Sequence, residues 1–120
     1  MRDCATNPMT QDLFGLHADV CKTLSSPARL RIIDALRDGE LSAGEICAVV
    51  GARKANVSQH LAVMRERGIV EARRSGTNVF YRLTNAKVVQ AFQLMREVLV
   101  EQMEKKVALL AGSGRSGGAL

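Results

Sequence analysis

At 120 residues the chain is the size of one ordinary domain, long enough to bury a core without disulfides or a structural metal. Aromatic residues make up only 3% of it, with no Trp and one Tyr, while Leu, Val, Ala and Ile are plentiful, which favours helix-on-helix packing and disfavours a β-sandwich. The formal net charge of +5 is carried entirely by residues 53–82, where Arg53, Lys54, Arg65, Arg67, Arg73, Arg74 and Arg82 stand against Glu66 and Glu71, a focused field suited to a polyanion.

Residues 1–9 show no periodicity and include Pro8, so they read as a flexible arm. From Thr10, a candidate N-cap, Leu13, Leu16, Val20 and Leu24 recur at helical spacing, giving a first helix that ends near Thr23. The stretch SSPARLRIIDALRDG opens a second helix with Ser26 as N-cap and Pro27 at the first position, where its missing N–H costs nothing. Leu30, Ile33 and Leu36 are its expected buried face, and Gly39 its end. Ser42 and Glu45 then make S-x-x-E, a capping box, which sets a short third helix at about Ala43–Val50 with Ile46 and Val50 inward and Gly51 closing it.

In KANVSQHLAVMRERG the residues Val57, Leu61 and Met64 fall at i, i+4 and i+7 on one face of a fourth helix. Ala55, Asn56, Ser58, Gln59 and Ala62 fill the remainder, a small and polar surface able to press closely against something else. Gly68 ends this helix, and IVEARRSGTNVFYRL reads as a basic β-hairpin turning at Ser75–Asn78, placed where a wing would be. The last helix carries Val88, Phe92, Met95 and Leu99 in a stripe, followed by Val98, Met103, Val107 and Leu110, which is too apolar for an isolated surface helix. Sharing with a second subunit is preferred here over core packing. The tail GSGRSGGAL has linker composition.

The three cysteines, Cys4, Cys21 and Cys47, are an odd number at long spacings, and the N-terminus lacks a basic-then-apolar leader. A cytoplasmic protein with reduced thiols is expected. No apolar run approaches the roughly 20 residues of a spanning helix, so no membrane role is indicated.

Two helices joined tightly need a small residue at their crossing, a Gly at the turn, and an apolar residue on the second helix facing the first. Cys47, Gly51 and Val57 supply these, at offsets of four and six. The expected fold is therefore mainly α with a small β-hairpin, a winged helix-turn-helix in the order α-α-α-α-β-β-α.

Through LSSPARLRIIDAL, GEICAVVG and NVSQHLAVMRERGIVEARRSGTNVFYRL the chain resembles the ArsR/SmtB family of bacterial winged-helix repressors, over roughly Leu16–Leu99. The resemblance implies a homodimer joined through its first and last helices, bound to a palindromic operator and released by an effector. Together with the lack of periodicity before Thr10 and the linker composition at the end, it puts the expected DNA-binding and dimerisation domain at 10–111, between the arm at 1–9 and a flexible tail at 112–120. Recognition helices of such a dimer enter successive major grooves roughly 34–36 Å apart. Asn56, Ser58 and Gln59 are the candidate readers of base edges, Gln being suited to adenine. Arg53 and Lys54 at the helix start are candidate phosphate ligands, and Arg73, Arg74 and Asn78 on the wing would meet backbone or minor groove. His60 is placed on the DNA side, beside the plainer reading of a structural hydrogen-bonding residue.

The family's usual sensors are missing. Many relatives carry E-L-C-x-C-[DE]-L at the third helix, whose thiolates bind soft ions, but here the segment is ELSAGEI, with Ser42 and Gly44 in place of the cysteines. From Asn85 to Leu110 there is neither His nor Asp to bind zinc across a dimer. Cys4, Cys21 and Cys47 remain as candidate sensors. Cys4, in the arm, is expected to be solvent-accessible and the most readily oxidised, whereas the plainer reading of the other two is filler: Cys21 a small buried hydrophobe, Cys47 a packing residue at the helix crossing. Assembled between subunits, the thiolates could bind a soft metal or metalloid ion, or could react with oxidant or sulfide species. The alternatives are a constitutive or small-ligand-responsive regulator and a winged helix used for protein contacts. His17 and His60 have no evident nucleophile or acid partner, so an enzyme is not expected.

Overall fold

The computed structural model describes the backbone of residues 8–119 and the side chains of residues 12–112. The chain divides into two units, Met1–Asn85 and Ala86–Leu120.

The first unit contains α1 (Pro8–Thr23), α2 (Pro27–Ala35), β1 (Leu41–Ser42), α3 (Ala43–Val50), α4 (Lys54–Glu66), β2 (Val70–Ser75) and β3 (Asn78–Leu83). The Ser26 side chain accepts from the Arg29 N–H and Pro27 takes the first turn of α2, as the sequence dictates. At α3 both halves of the capping box form: Glu45 N–H donates to Ser42 Oγ at 3.1 Å, and Ser42 N–H to Glu45 Oε1 at 2.9 Å. Gly51 caps α3 in the left-handed conformation, φ 72°, its N–H reaching the Cys47 carbonyl at 2.8 Å. Only glycine adopts that geometry freely, so the tight turn into α4 depends on it. The end of α4 is tied by Ile69 N–H to Met64 O at 2.9 Å and Gly68 N–H to Arg65 O at 3.0 Å, the paired bonds of a Schellman motif.

The hairpin β2–β3 turns in two residues, with Ser75 opposite Asn78 and Gly76 at φ 62°. Thr77 keeps a negative φ, so the signs are those of a type II′ turn, whose twist suits a hairpin. The third strand was not expected. Leu41 and Ser42 pair with Tyr81 and Phe80, making an antiparallel sheet in the order β1-β3-β2. Two residues give no alternation to read, and Ser42 is simultaneously a strand residue and a helix cap.

The core is aliphatic: Leu24, Ile32, Ile33, Leu36, Ile46, Val57, Leu61, Met64, Ile69 and Val70 are buried. Leu30 is a correction to the expected face of α2, being 38% exposed while Ile32 is fully buried. At 100° per residue, Ile32, Leu36 and Ile33 fall within one 100° arc, and Leu30 lies well outside it. On α1, Leu13, Phe14, Leu16 and Val20 are exposed and Leu24 just beyond it is buried.

The second unit is α5 (Lys87–Ala119), which runs through the segment whose composition reads as a linker. Along it Leu94, Met95, Val98, Leu99, Val100, Met103, Val107, Leu109 and Leu110 are exposed. Among the described residues no helix is long and apolar enough to cross a membrane.

Candidate nucleic-acid interface

The helix-turn-helix is built by α3, the Gly51 cap and α4. Val57, Leu61 and Met64 are each buried to 1% exposure or less, which fixes one stripe of α4 into the core. The opposite surface follows from helix geometry: before Glu66, which occupies the same face at the last turn, Ala55, Gln59 and Ala62 point away from the core, flanked by Asn56 and Ser58. All five are exposed. No charge stands among them, and the two alanines leave the Gln59 amide reachable by a flat surface. A base edge, with its paired donor and acceptor or a thymine methyl, is the kind of surface such a face can read.

Arg53 is the N-cap of α4 and makes no side-chain capping bond, so the first N–H groups of the helix receive no partner from the cap. That end therefore offers free donors and the positive pole of the helix dipole, with the Arg53 and Lys54 charges beside it. Phosphate suits such a place.

On the wing the basic residues divide. Arg73 Nε donates to Glu40 Oε2 at 3.2 Å and its Nη2 to the other carboxylate oxygen, while the guanidinium carbon lies 5.0 Å from the centre of the Phe80 ring. The hydrogen bond from Arg73 holds the Glu40 carboxyl below its ordinary range, and Glu40 in turn raises Arg73. Arg82 is bonded to Glu71, its partner across the hairpin. Arg67 faces Asp19 at 3.9 Å. Among the described residues Arg53, Lys54, Arg65 and Arg74 make no ion pair within 4 Å. The excess charge that the sequence spreads over residues 53–82 is thus concentrated on the start of α4, its last turn and the wing.

Asn78 is exposed at the hairpin turn, opposite Ser75. His60 is half-buried, and its Nδ1 accepts from Arg29 Nε at 3.1 Å, the structural kind of bond set beside the DNA-side placement above. Cys21 is exposed on α1, against the expectation of a buried hydrophobe, because within one chain every described residue of α1 from Asp12 to Lys22 is exposed and burial begins only at Thr23. Cys47 is half-buried on α3 and Cys4 lies outside the described residues. No group of three His, Cys, Asp or Glu able to hold a metal occurs among the described residues. Sequence reasoning did not single out Glu40 or Arg29. Each has a side-chain partner 31 or more positions away, His60 for Arg29 and Arg73 for Glu40, and no local pattern announces such contacts.

Comparison with known proteins agrees with this geometry. Residues 26–72 match the family described as bacterial regulatory protein, arsR family. The chain is 35% identical to the uncharacterized HTH-type transcriptional regulator Rv0081 of Mycobacterium tuberculosis, over 92% of this chain and 96% of that one. It is 42% identical to the biofilm growth-associated repressor of Xylella fastidiosa, over 85% and 93% respectively. Among solved structures, the homodimeric winged helix-turn-helix DNA-binding domain of Mb0332 from Mycobacterium bovis superposes with a TM-score of 0.73 at 32% identity, covering 82% of this chain and 92% of that chain. These relatives are described as transcriptional regulators, and the winged helix-turn-helix is the architecture that the solved neighbour shares with this chain. The chain belongs to the ArsR family of winged helix-turn-helix transcriptional regulators.

Proposed function

We propose that the protein is an effector-released repressor that binds a palindromic operator as a homodimer, laying α4 into the major groove of each half-site. The single observation that carries this is the exposed Ala55–Gln59–Ala62 face, held over a fully buried stripe and bordered by unpaired Arg53 and Lys54. Asn56, Ser58 and Gln59 read base edges; Arg53, Lys54 and Arg74 hold phosphate; Asn78 touches backbone at the wing turn. The exposed apolar residues of α1 and α5 support pairing of two copies through those helices, as does the homodimeric state of the Mycobacterium bovis neighbour. Binding to the promoter beside its own gene should exceed binding to random DNA and fall steeply with salt. No preference over random DNA would overturn the repressor reading.

Release is assigned to thiol chemistry. Cys21 is exposed on the single chain, on the helix through which two copies are proposed to pair, so its reaction with oxidant or sulfide species would act at that pairing; Cys47 lies one turn before the Gly51 cap, where added bulk would disturb the entry to α4. A soft-ion site would need Cys4 or a second copy, since the described residues of one chain form none. Promoter release is followed with oxidant, polysulfide or arsenite, then repeated with Cys4→Ser, Cys21→Ser and Cys47→Ser. Release that is unchanged in all three variants rules out a thiol sensor. A winged helix used for protein contacts is separated from the repressor reading by replacing Ser58 and Gln59 with Ala, which weakens base-specific binding and leaves a charge-driven partner unaffected.

A further inference from the structure

Arg29, on α2, ties together two other helices. Its Nη1 donates to the carbonyl of Thr23, the last residue of α1, at 2.8 Å, and its Nε donates to Nδ1 of His60 on α4 at 3.1 Å. The Thr23 carbonyl is one of the acceptors that a helix end leaves without an intrahelical partner, and a guanidinium there also meets the negative pole of α1. Thr23 is itself anchored. It is the buried polar residue among the described residues, and its Oγ1 donates back to the Asp19 carbonyl at 2.8 Å.

Because a guanidinium is planar, its two donors keep a fixed spacing, so the place of His60 is referred to the end of α1. His60 stands one helical turn after Asn56, at the border between the buried stripe and the exposed face of α4. An accepting Nδ1 assigns the imidazole proton to Nε2, so the contact requires the neutral ring. A second, weaker tie runs parallel to it: Asp19 on α1 faces Arg67, the C-cap of α4, at 3.9 Å, an exposed pair of small energetic weight. The end of α1 thus reaches α4 both at its middle and at its end.

We propose that Arg29 is a positioning residue for the reading helix, fixing the rotation of α4 against the end of α1. The helix assigned above to subunit pairing then also dictates how Asn56, Ser58 and Gln59 are presented. This rests on the DNA-reading role of α4.

The full chain is titrated with its promoter and with random DNA, and the ratio of affinities is read for Arg29→Lys, His60→Ala, the double variant and His60→Asn. Lys keeps the charge but cannot make both bonds; Asn returns a carbonyl oxygen near the place of Nδ1. Arg29→Lys and His60→Ala should each lower the ratio about tenfold, the double variant no further, and His60→Asn should restore it. Backbone amide resonances of residues 56–59 should shift in Arg29→Lys and return towards wild type in His60→Asn relative to His60→Ala. Additive losses, failure of His60→Asn to restore the ratio, or a lowered melting temperature with an unchanged ratio would overturn the proposal. A wild-type chain without operator preference would overturn the DNA-reading role instead, and unmoved α4 amides would then still overturn the coupling.

Discussion

Arg73 and Phe80 sit directly opposite each other across the wing, and the guanidinium of one stacks on the ring of the other at 5.0 Å. Glu40 completes the arrangement by accepting two bonds from the same guanidinium, reaching over from the residue that precedes β1. The most basic dipeptide of the wing is therefore structurally unequal, with Arg73 engaged within the protein and Arg74 in no ion pair among the described residues.

This inequality is measurable in the salt dependence of operator binding. Arg74→Ala should flatten the log–log slope by about 0.9 if that residue neutralises one phosphate, whereas Arg73→Ala should leave the slope nearly unchanged. Glu40→Gln, which releases Arg73 from its carboxylate, should steepen it. Equal effects of Arg73→Ala and Arg74→Ala would contradict the division.

The Glu40 carboxyl is held below its ordinary value of 4.5 chiefly by the Arg73 hydrogen bond. A depressed folded-state pKa means that the contact contributes in full above the unfolded value and is lost as pH falls through the lowered one. The wing clasp should therefore be indifferent to pH across the neutral range and loosen only below about 4.5. Side-chain NMR titration of Glu40 should show the low midpoint, and Arg73→Gln should return it upward.

Removing the α3 cap tests the link from sequence to local structure. Ser42→Ala deletes the acceptor for Glu45 N–H and should cost about 1 kcal/mol of unfolding free energy in urea. Glu45→Ala in the Ser42→Ala background should cost less than it does alone, because the two bonds of the box support each other.

Within α2, Ile32→Ala should destabilise by roughly 2–5 kcal/mol, as expected for a fully buried aliphatic side chain. Leu30→Ala should be much milder, within about 1 kcal/mol under conditions that keep the chain monomeric. Denaturant midpoints at constant m-value would establish the order, and the reverse order would place the face of α2 wrongly.

Gln59→Ala should weaken operator binding by about 1–3 kcal/mol while leaving the salt slope and the binding of random DNA unchanged. Loss on both DNAs alike would mean that Gln59 reads no base.

What the sequence made legible was whatever is local and repetitive. The Ser42–Glu45 box, the Pro27 entry, the Val57–Leu61–Met64 stripe and the Ser75–Asn78 turn each depend on residues within seven positions of one another, and each is present in the structure. The misses have two physical origins, one local and one long-range. Leu30 was placed inward because an i, i+3, i+6 series drifts around a helix, and Ile32 lay one side chain over. The Arg73–Glu40 clasp and the Arg29–His60 bond join residues 33 and 31 positions apart, which only the folded backbone brings together. Charge was legible as a total but not as a distribution of paired and unpaired groups.

Ser42 has one further consequence. Its backbone lies in β1 opposite Phe80 of the wing while its side chain starts α3. The wing and the helix-turn-helix are thereby pinned at a shared residue, so neither can hinge without the other. If the protein docks on DNA as proposed, this junction should need little ordering on binding. Differences in affinity among operators should accordingly arise from base contacts and from how easily each DNA sequence deforms, with a nearly constant contribution from the protein.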